Sequence, residues 1–306
     1  MKHGRKTIKS VGEFGLIDQI KKWIPPVNRS VVQGIGDDAA VFPVLGGRYQ
    51  LLTIDTLVEG VDFKRSRATP QQIGWKALAI NLSDIAAMGG IPKVALVSLT
   101  LPPSTPVQFV KGFYQGMSKL ASQFHVSIVG GDLSRGTKIS STVAVLGEVR
   151  RHRAILRKRA RIGDFICVTG KLGGSILGKH LNFMPRLKEG QFLAQHGASA
   201  MIDISDGLVQ DLNHLTEGSG LTFMISEPEI PIAQAALKLA RGNKKRALRH
   251  ALSDGEDFEL LFTIAPARLC VVEKGWSDHF RVPLTVIGRV VRGEEKSRRR
   301  MGFQHF

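Results

Sequence analysis

The sequence predicts a protein of two α/β domains, and three observations predict it. Apolar runs of strand character alternate with helical patterns along the whole chain. A basic stretch at 150–161 breaks that alternation, and the pattern then starts again. The length of 306 residues leaves room for two cores. We therefore expect two α/β domains, at 1–150 and 151–306, meeting at a cleft.

The elements follow in order. Residues 12–24 place Phe14, Leu16, Ile17, Ile20, Trp23 and Ile24 at helical spacing, stopped by Pro25-Pro26. Residues 39–44 and 49–54 read as strands joined at Gly46-Gly47, the second ending in Asp55-Thr56. Thr69-Pro70 opens a helix that Gly89-Gly90 stops after Met88. A strand at 93–101 ends at Pro102-Pro103, and a second long helix runs over 105–124. A strand at 126–129 leads into Gly130-Gly131-Asp132, and another covers 139–149. Beyond the break, strands are expected at 164–169, 199–204, 221–225, 258–264 and 282–291. Helices are expected at 174–181, 189–195, 207–217 and 231–239.

Composition narrows the function classes. No apolar run reaches the roughly 18 residues that a membrane span needs. Cys167 and Cys270 stand far apart, which fits a reduced, cytoplasmic protein without a disulfide or thiolate metal site. The net charge is +17, with basic runs at 150–161, 244–249 and 296–300. These runs carry no interleaved aromatics and no recognition motif, so they read as solvated faces rather than a nucleic-acid surface. Histidines occur singly, and no Ser-His-Asp or His-Glu-x-x-His pattern is present.

Against this basic background, aspartates recur where the backbone changes state. Asp37-Asp38 precede a strand behind glycines, and Asp55 closes one. Asp132 follows two glycines, while Asp203 and Asp206 flank a strand-to-helix turn. Each of these could be a turn or cap residue. Asp84 is harder to explain so, because Leu82, Ile85, Ala86 and Ala87 leave its helix almost without a polar face, and a buried carboxylate needs a partner. Several carboxylates in such places together suit a hard divalent ion with oxygen ligands, Mg2+. One decoy is set aside. The run 173–180 nearly matches a phosphate loop, but His180 stands where that motif needs Ser or Thr, and the match spans an expected helix.

Seven motifs carry a resemblance: Gly12-Glu13-Phe14, Gly36-Asp37-Asp38-Ala39, 55–60, 81–90, Gly130-Gly131-Asp132, 203–208 and 255–260. In this order they resemble the thiamine-monophosphate kinases of the aminoimidazole-ribonucleotide synthetase superfamily. The resemblance implies that superfamily's two-domain fold, with an N-terminal α/β domain at 1–150 and a C-terminal α+β domain at 151–306, a homodimer paired through the N-terminal domain, and a cytoplasmic kinase that phosphorylates thiamine monophosphate from ATP with several Mg2+ ions. By motif position, Asp38, Thr53, Asp55, Asp84, Asp132, Asp203 and Asp206 would bind metal. Tyr114, Gly131, Asp132, Arg157 and Ser205 would contact ATP, and Asp62, Glu256 and Phe303 the acceptor. Asp62 replaces a usual His, and Phe303 a usual Trp or Tyr. Other ATP-using members of the superfamily fit less well, since a selenophosphate synthetase or a carbamoyl carrier would want a reactive cysteine near one terminus.

Overall fold

The computed structural model describes residues 7–25, 28, 30–217 and 219–293; Phe303 and the basic run 296–300 lie outside the described residues. Two short helices, α1 (Ile8–Val11) and α2 (Glu13–Trp23), lead into the strands β1 (Ala40–Val44) and β2 (Arg48–Val58). Helix α3 (Pro70–Ala87), β3 (Ile91–Leu101), α4 (Val107–Gln123), β4 (Ser127–Arg135) and β5 (Ser140–Arg150) complete the first half. The second half holds β6 (Phe165–Thr169), α5 (Lys179–Asn182), α6 (Leu187–His196), β7 (Ala198–Asp203), α7 (Leu208–Thr216) and β8 (Leu221–Ile225). It ends with α8 (Gln234–Leu239), α9 (Lys244–Ser253), β9 (Leu260–Ile264), α10 (Pro266–His279) and β10 (Leu284–Arg292).

The strands form two five-stranded sheets, β1-β2-β5-β3-β4 and β7-β9-β6-β10-β8. Every pairing is antiparallel except β3 with β4. Between the sheets lies α3, packed on β2 and β5 on one side and on α5, α6 and β7 on the other. Its start is set locally. The Thr69 hydroxyl accepts the Gln72 amide at 3.2 Å, the Gln72 side chain takes the Thr69 amide at 2.9 Å, and Pro70 needs no donor there. Ile73, Leu78, Leu82 and Ile85 are fully buried, each contributing roughly 1.5–3 kcal/mol. A helix apolar all round is a core helix, and its position follows from that.

Several elements run differently from the sequence expectation. Strand β2 continues past Asp55 to Val58, and β4 runs through Asp132, because each is paired along its length with β5 or β3. The expected helix at 174–181 is a 3-10 turn, Ser175–Leu177, followed by the short α5. Helix α8 starts only at Gln234, after the β-bridge between Leu172 and Ile232. The basic run 244–249 lies on α9, which Asn243 caps by accepting the Arg246 amide at 3.0 Å. Helix α10 was not legible in the pattern: Leu269, Val272 and Trp276 face the core, but Cys270 and Val271 put apolar residues on its exposed side as well.

Candidate functional site

Strand β2 alternates inward and outward, so Thr53, Asp55 and Leu57 share the face toward α3 while Leu52, Ile54 and Thr56 face away. Opposite them, Asp84 is the one residue from Lys76 to Gly90 that is not fully buried. The Thr53 hydroxyl donates to the Asp84 carboxylate. From the second sheet, Asp203 ends β7 and accepts the Ser83 hydroxyl at 2.6 Å. Asp38, Asp84 and Asp203 thereby bring ligand atoms within 4.8 Å of one another. Asp55, Asp84, Asp203, Ser205, Asp206 and Glu256 line a cavity of ≈ 130 Å³.

The electrostatics show that these charges are under-compensated. Burial, then the neighbouring Asp55, Asp203 and Asp38, pushes the Asp84 carboxyl well above its ordinary range, against the Thr53 hydrogen bond. Asp203 is pushed up to about 8 by burial and by Asp38. Asp37 is raised to about 7 by burial and then Asp38. Arg157 turns in from the 3-10 turn Arg157–Arg159 to pair with Asp38, and its backbone N–H donates to Asp37 at 3.2 Å. Burial disfavours the guanidinium charge, but Asp38 and Asp37 hold its proton firmly. One oxygen of Asp38 is still buried without a partner. Protons or cations must supply the rest, and a cluster of hard oxygen donors at this spacing fits divalent ions.

A second cavity, ≈ 650 Å³, adjoins the first and shares Asp62 and Glu256 with it. Val61, Ile176 and Leu239 give it apolar walls, with His250 and Asp254 at the polar end. One Asp62 oxygen accepts the Val58 amide at 2.7 Å, closing the turn after β2. Glu256 and Phe258 both have φ in the left-handed region, at 63° and 49°. The Phe258 ring stacks on Phe183 at 4.1 Å, which helps to hold the loop.

Not every expected residue joins this site. Gly131 sits in β4 against Val97, where an added Cβ would lie 1.8 Å from the Val97 carbonyl, so only glycine fits. Asp132 is exposed and shares a transverse row with Ser98, Thr142 and Thr56, on the face turned away from Asp55. Tyr114 lines a separate groove on α4 with Lys111 and Lys119. Arg159 and Arg161 are exposed, as expected of solvated neighbours.

Sequence reasoning also passed over residues that build the site. Asp211 is buried and accepts the Asp206 and Gly207 amides at 3.2 and 3.1 Å, closing the turn that presents Asp206. An acidic residue in the first turn of α7 was the available signal. Lys76, alone among apolar neighbours on α3, was another. The phosphate-loop decoy is explained, since the Gly173 and Gly174 amides already donate to Asp257 and Asp254 at 2.7 and 2.9 Å.

Comparison with known proteins adds the following. Residues 36–149 match the family described as AIR synthase related protein, N-terminal domain. The thiamine-monophosphate kinase of Rhodopirellula baltica is 40% identical over 85% of this chain and 84% of its own. That of Aquifex aeolicus is 37% identical over 94% of both chains. Among solved structures, AaThiL complexed with AMPPCP and TMP superposes with a TM-score of 0.86 at 34% identity, covering 98% of this chain and 99% of that one. The hydrogenase maturation protein HypE in complex with ATP, at 20% identity and a TM-score of 0.66 over 85% of this chain and 81% of that one, shares the fold.

Proposed function

The chain belongs to the thiamine-monophosphate kinase family, and we propose that the cleft around α3 carries out that family's reaction: ATP phosphorylates thiamine monophosphate, giving thiamine diphosphate and ADP. One observation carries this reading. The under-compensated carboxylates open, through the shared Asp62 and Glu256, into a cavity large enough for the rest of a phosphorylated acceptor.

The roles follow from where the residues stand. Asp38, Thr53, Asp55, Asp84, Asp203 and Asp206 would hold Mg2+, with the orphaned Asp38 oxygen as the clearest open donor. Bound there, the ions would neutralise the charge that builds up between two polyanions, which at about 4 Å costs on the order of 4 kcal/mol per pair at an effective dielectric of 20. Thr53 and Ser83 orient Asp84 and Asp203 by donating hydroxyl protons to them. Arg157 and Ser205 would meet the nucleotide phosphates. Asp62 and Glu256 border the acceptor cavity, and the Asp62 carboxylate suits the permanent positive charge of a thiazolium ring. No general base is required, since a phosphate monoester with a second pKa of about 6 is already ionised at pH 7.

We also propose that the boundary near residue 150 divides two domains, and that the protein works in the cytoplasm as a homodimer. Leu52, Ile54 and Leu96 stand exposed on the open face of the first sheet, with Ile54 and Leu96 in register across Ala144. A second copy would cover that face and the nearby Asp132. Among the described residues no helix is long and apolar enough to cross a membrane.

A coupled ADP-release assay with thiamine monophosphate, thiamine and aminoimidazole precursors as competing acceptors tests the reading. Turnover should require thiamine monophosphate, and release driven equally by another acceptor would overturn it.

A further inference from the structure

Lys76 has no part in the reading above, yet it is among the largest fully buried side chains in the protein. It lies on α3, where its neighbours from Ile73 to Leu82 are apolar except Asn81. A buried ammonium persists only where it is paired. Its Nζ donates to the Asp62 carbonyl at 2.9 Å and pairs with the Glu256 carboxylate. The two loops so joined are those that border both cavities.

The Glu256 loop is pinned from every side. Its amide donates to the Ser205 carbonyl at 2.7 Å, and the Phe258 amide donates to Ile204 at 2.8 Å. Asp254 and Asp257 accept the Gly174 and Gly173 amides on either side of it. Within this frame the Glu256 side chain, 31% exposed, is the part open to the cavities, and Lys76 fixes its direction. Lys76 and Asp84 lie eight positions apart on one rigid helix, about 12 Å along its axis. A single element thus spaces the Glu256 neck from the carboxylate cluster.

We infer that Lys76 is a positioning residue that sets acceptor specificity: its buried ammonium orients Glu256 and cancels its charge at the neck, so that a phosphorylated acceptor is admitted past it. The inference rests on the kinase reading. Without the ammonium, Glu256 adds an uncancelled negative charge where the acceptor phosphate must pass. The penalty then falls on thiamine monophosphate and spares thiamine, which has the same ring system without the phosphate.

Calorimetric binding of thiamine monophosphate and of thiamine to the full chain, without ATP, is the test. In Lys76→Met the affinity ratio of the two ligands should fall about tenfold, while Lys76→Arg keeps it near wild type and the KM for ATP stays within twofold in both. A merely structural role would weaken both ligands equally and leave the ratio unchanged, which would overturn the inference. Should Lys76→Met not fold, Glu256→Gln reads the same balance from the other side. The ratio should then rise at least threefold, and an unchanged ratio would overturn the inference. Wild-type protein that neither binds thiamine monophosphate nor releases ADP with it would instead defeat the kinase reading itself.

Discussion

Among the described residues, the buried carboxylates around Glu259 and those around Asp84 and Asp203 are built on opposite principles. Around Glu259, at the mouth of β9, the Thr169 hydroxyl donates at 2.7 Å, the Arg186 guanidinium forks onto both oxygens at 2.7 Å, and Lys179 is a third partner at 2.8 Å. Burial alone would raise the Glu259 carboxyl, but Arg186 and Lys179 hold it below its ordinary value. Around Asp84 and Asp203 the same burial goes uncancelled, and both carboxyls are raised. The first cluster is finished within the chain and serves the fold. The second is unfinished within the chain, and on the function proposed above a ligand supplies its missing charge.

The sharpest way to break this comparison is to neutralise one member of each cluster. Asp55→Asn should cut turnover by well over tenfold, the equivalent of more than about 1.4 kcal/mol of barrier, with the melting temperature measured without Mg2+ no lower than wild type. A variant retaining more than about a tenth of the wild-type rate at saturating Mg2+ would remove Asp55 from the cation set. Glu259→Gln should do the reverse. It leaves the half-buried Arg186 and Lys179 with only Glu189 and Asp257, each 3.9 Å away, as counter-charges, and chemical denaturation should register a loss of about 1.5–3 kcal/mol. Unaltered stability would mean that the finished cluster is not what holds β9 to α6.

A smaller effect separates two arginines of the same basic run. Arg157 pairs with Asp38 inside the cleft, while the Arg159 side chain is exposed and donates to the Ala154 carbonyl at 3.3 Å. Arg157→Ala should raise the KM for ATP roughly tenfold and Arg159→Ala less than twofold. Equal effects would show that general surface charge, not position, binds the nucleotide.

The smallest effect lies between the clusters, at Asp257. Burial raises its carboxyl from 3.8 to about 7 despite Lys179 nearby. The folded chain therefore holds a proton there that the unfolded chain releases near pH 4. The stability of that neutral form is present at pH 4 and is lost as pH rises through about 7. Asp257→Asn should flatten this part of the stability profile. The gain at pH 8 should be on the order of 1 kcal/mol, since the amide leaves part of its own hydrogen bonding unmet. A profile unchanged from wild type would show that the buried carboxyl is compensated after all.

How much of this was legible in the sequence depends on the kind of signal. The start of α3 was plain, because Thr69, Pro70 and Gln72 act on neighbours three residues away. Asp84 was legible as well, since its helix offered it no polar face. The strand limits at Asp55 and Asp132 were not, because pairing with β5 and β3 carries each strand past the residues that looked like stops. The face on which Asp132 stands follows from register, which one strand alone does not encode. Lys76 and Glu259 drew no attention for a related reason. Their partners are 180 and 73 or more residues distant along the chain, so only the folded arrangement distinguishes a buried pair from a solvated charge.

Whether the unfinished cluster takes up divalent ions decides the role of the cleft, and a Mg2+ titration of the melting temperature tests that directly. Wild type should rise in stability with the logarithm of Mg2+ concentration once the sites begin to fill. Asp84→Asn should show little or none of this rise, and Asp257→Asn, outside the cluster, all of it. An equal rise in wild type and Asp84→Asn, or none in either, would contradict the assignment of this cleft as the cation site.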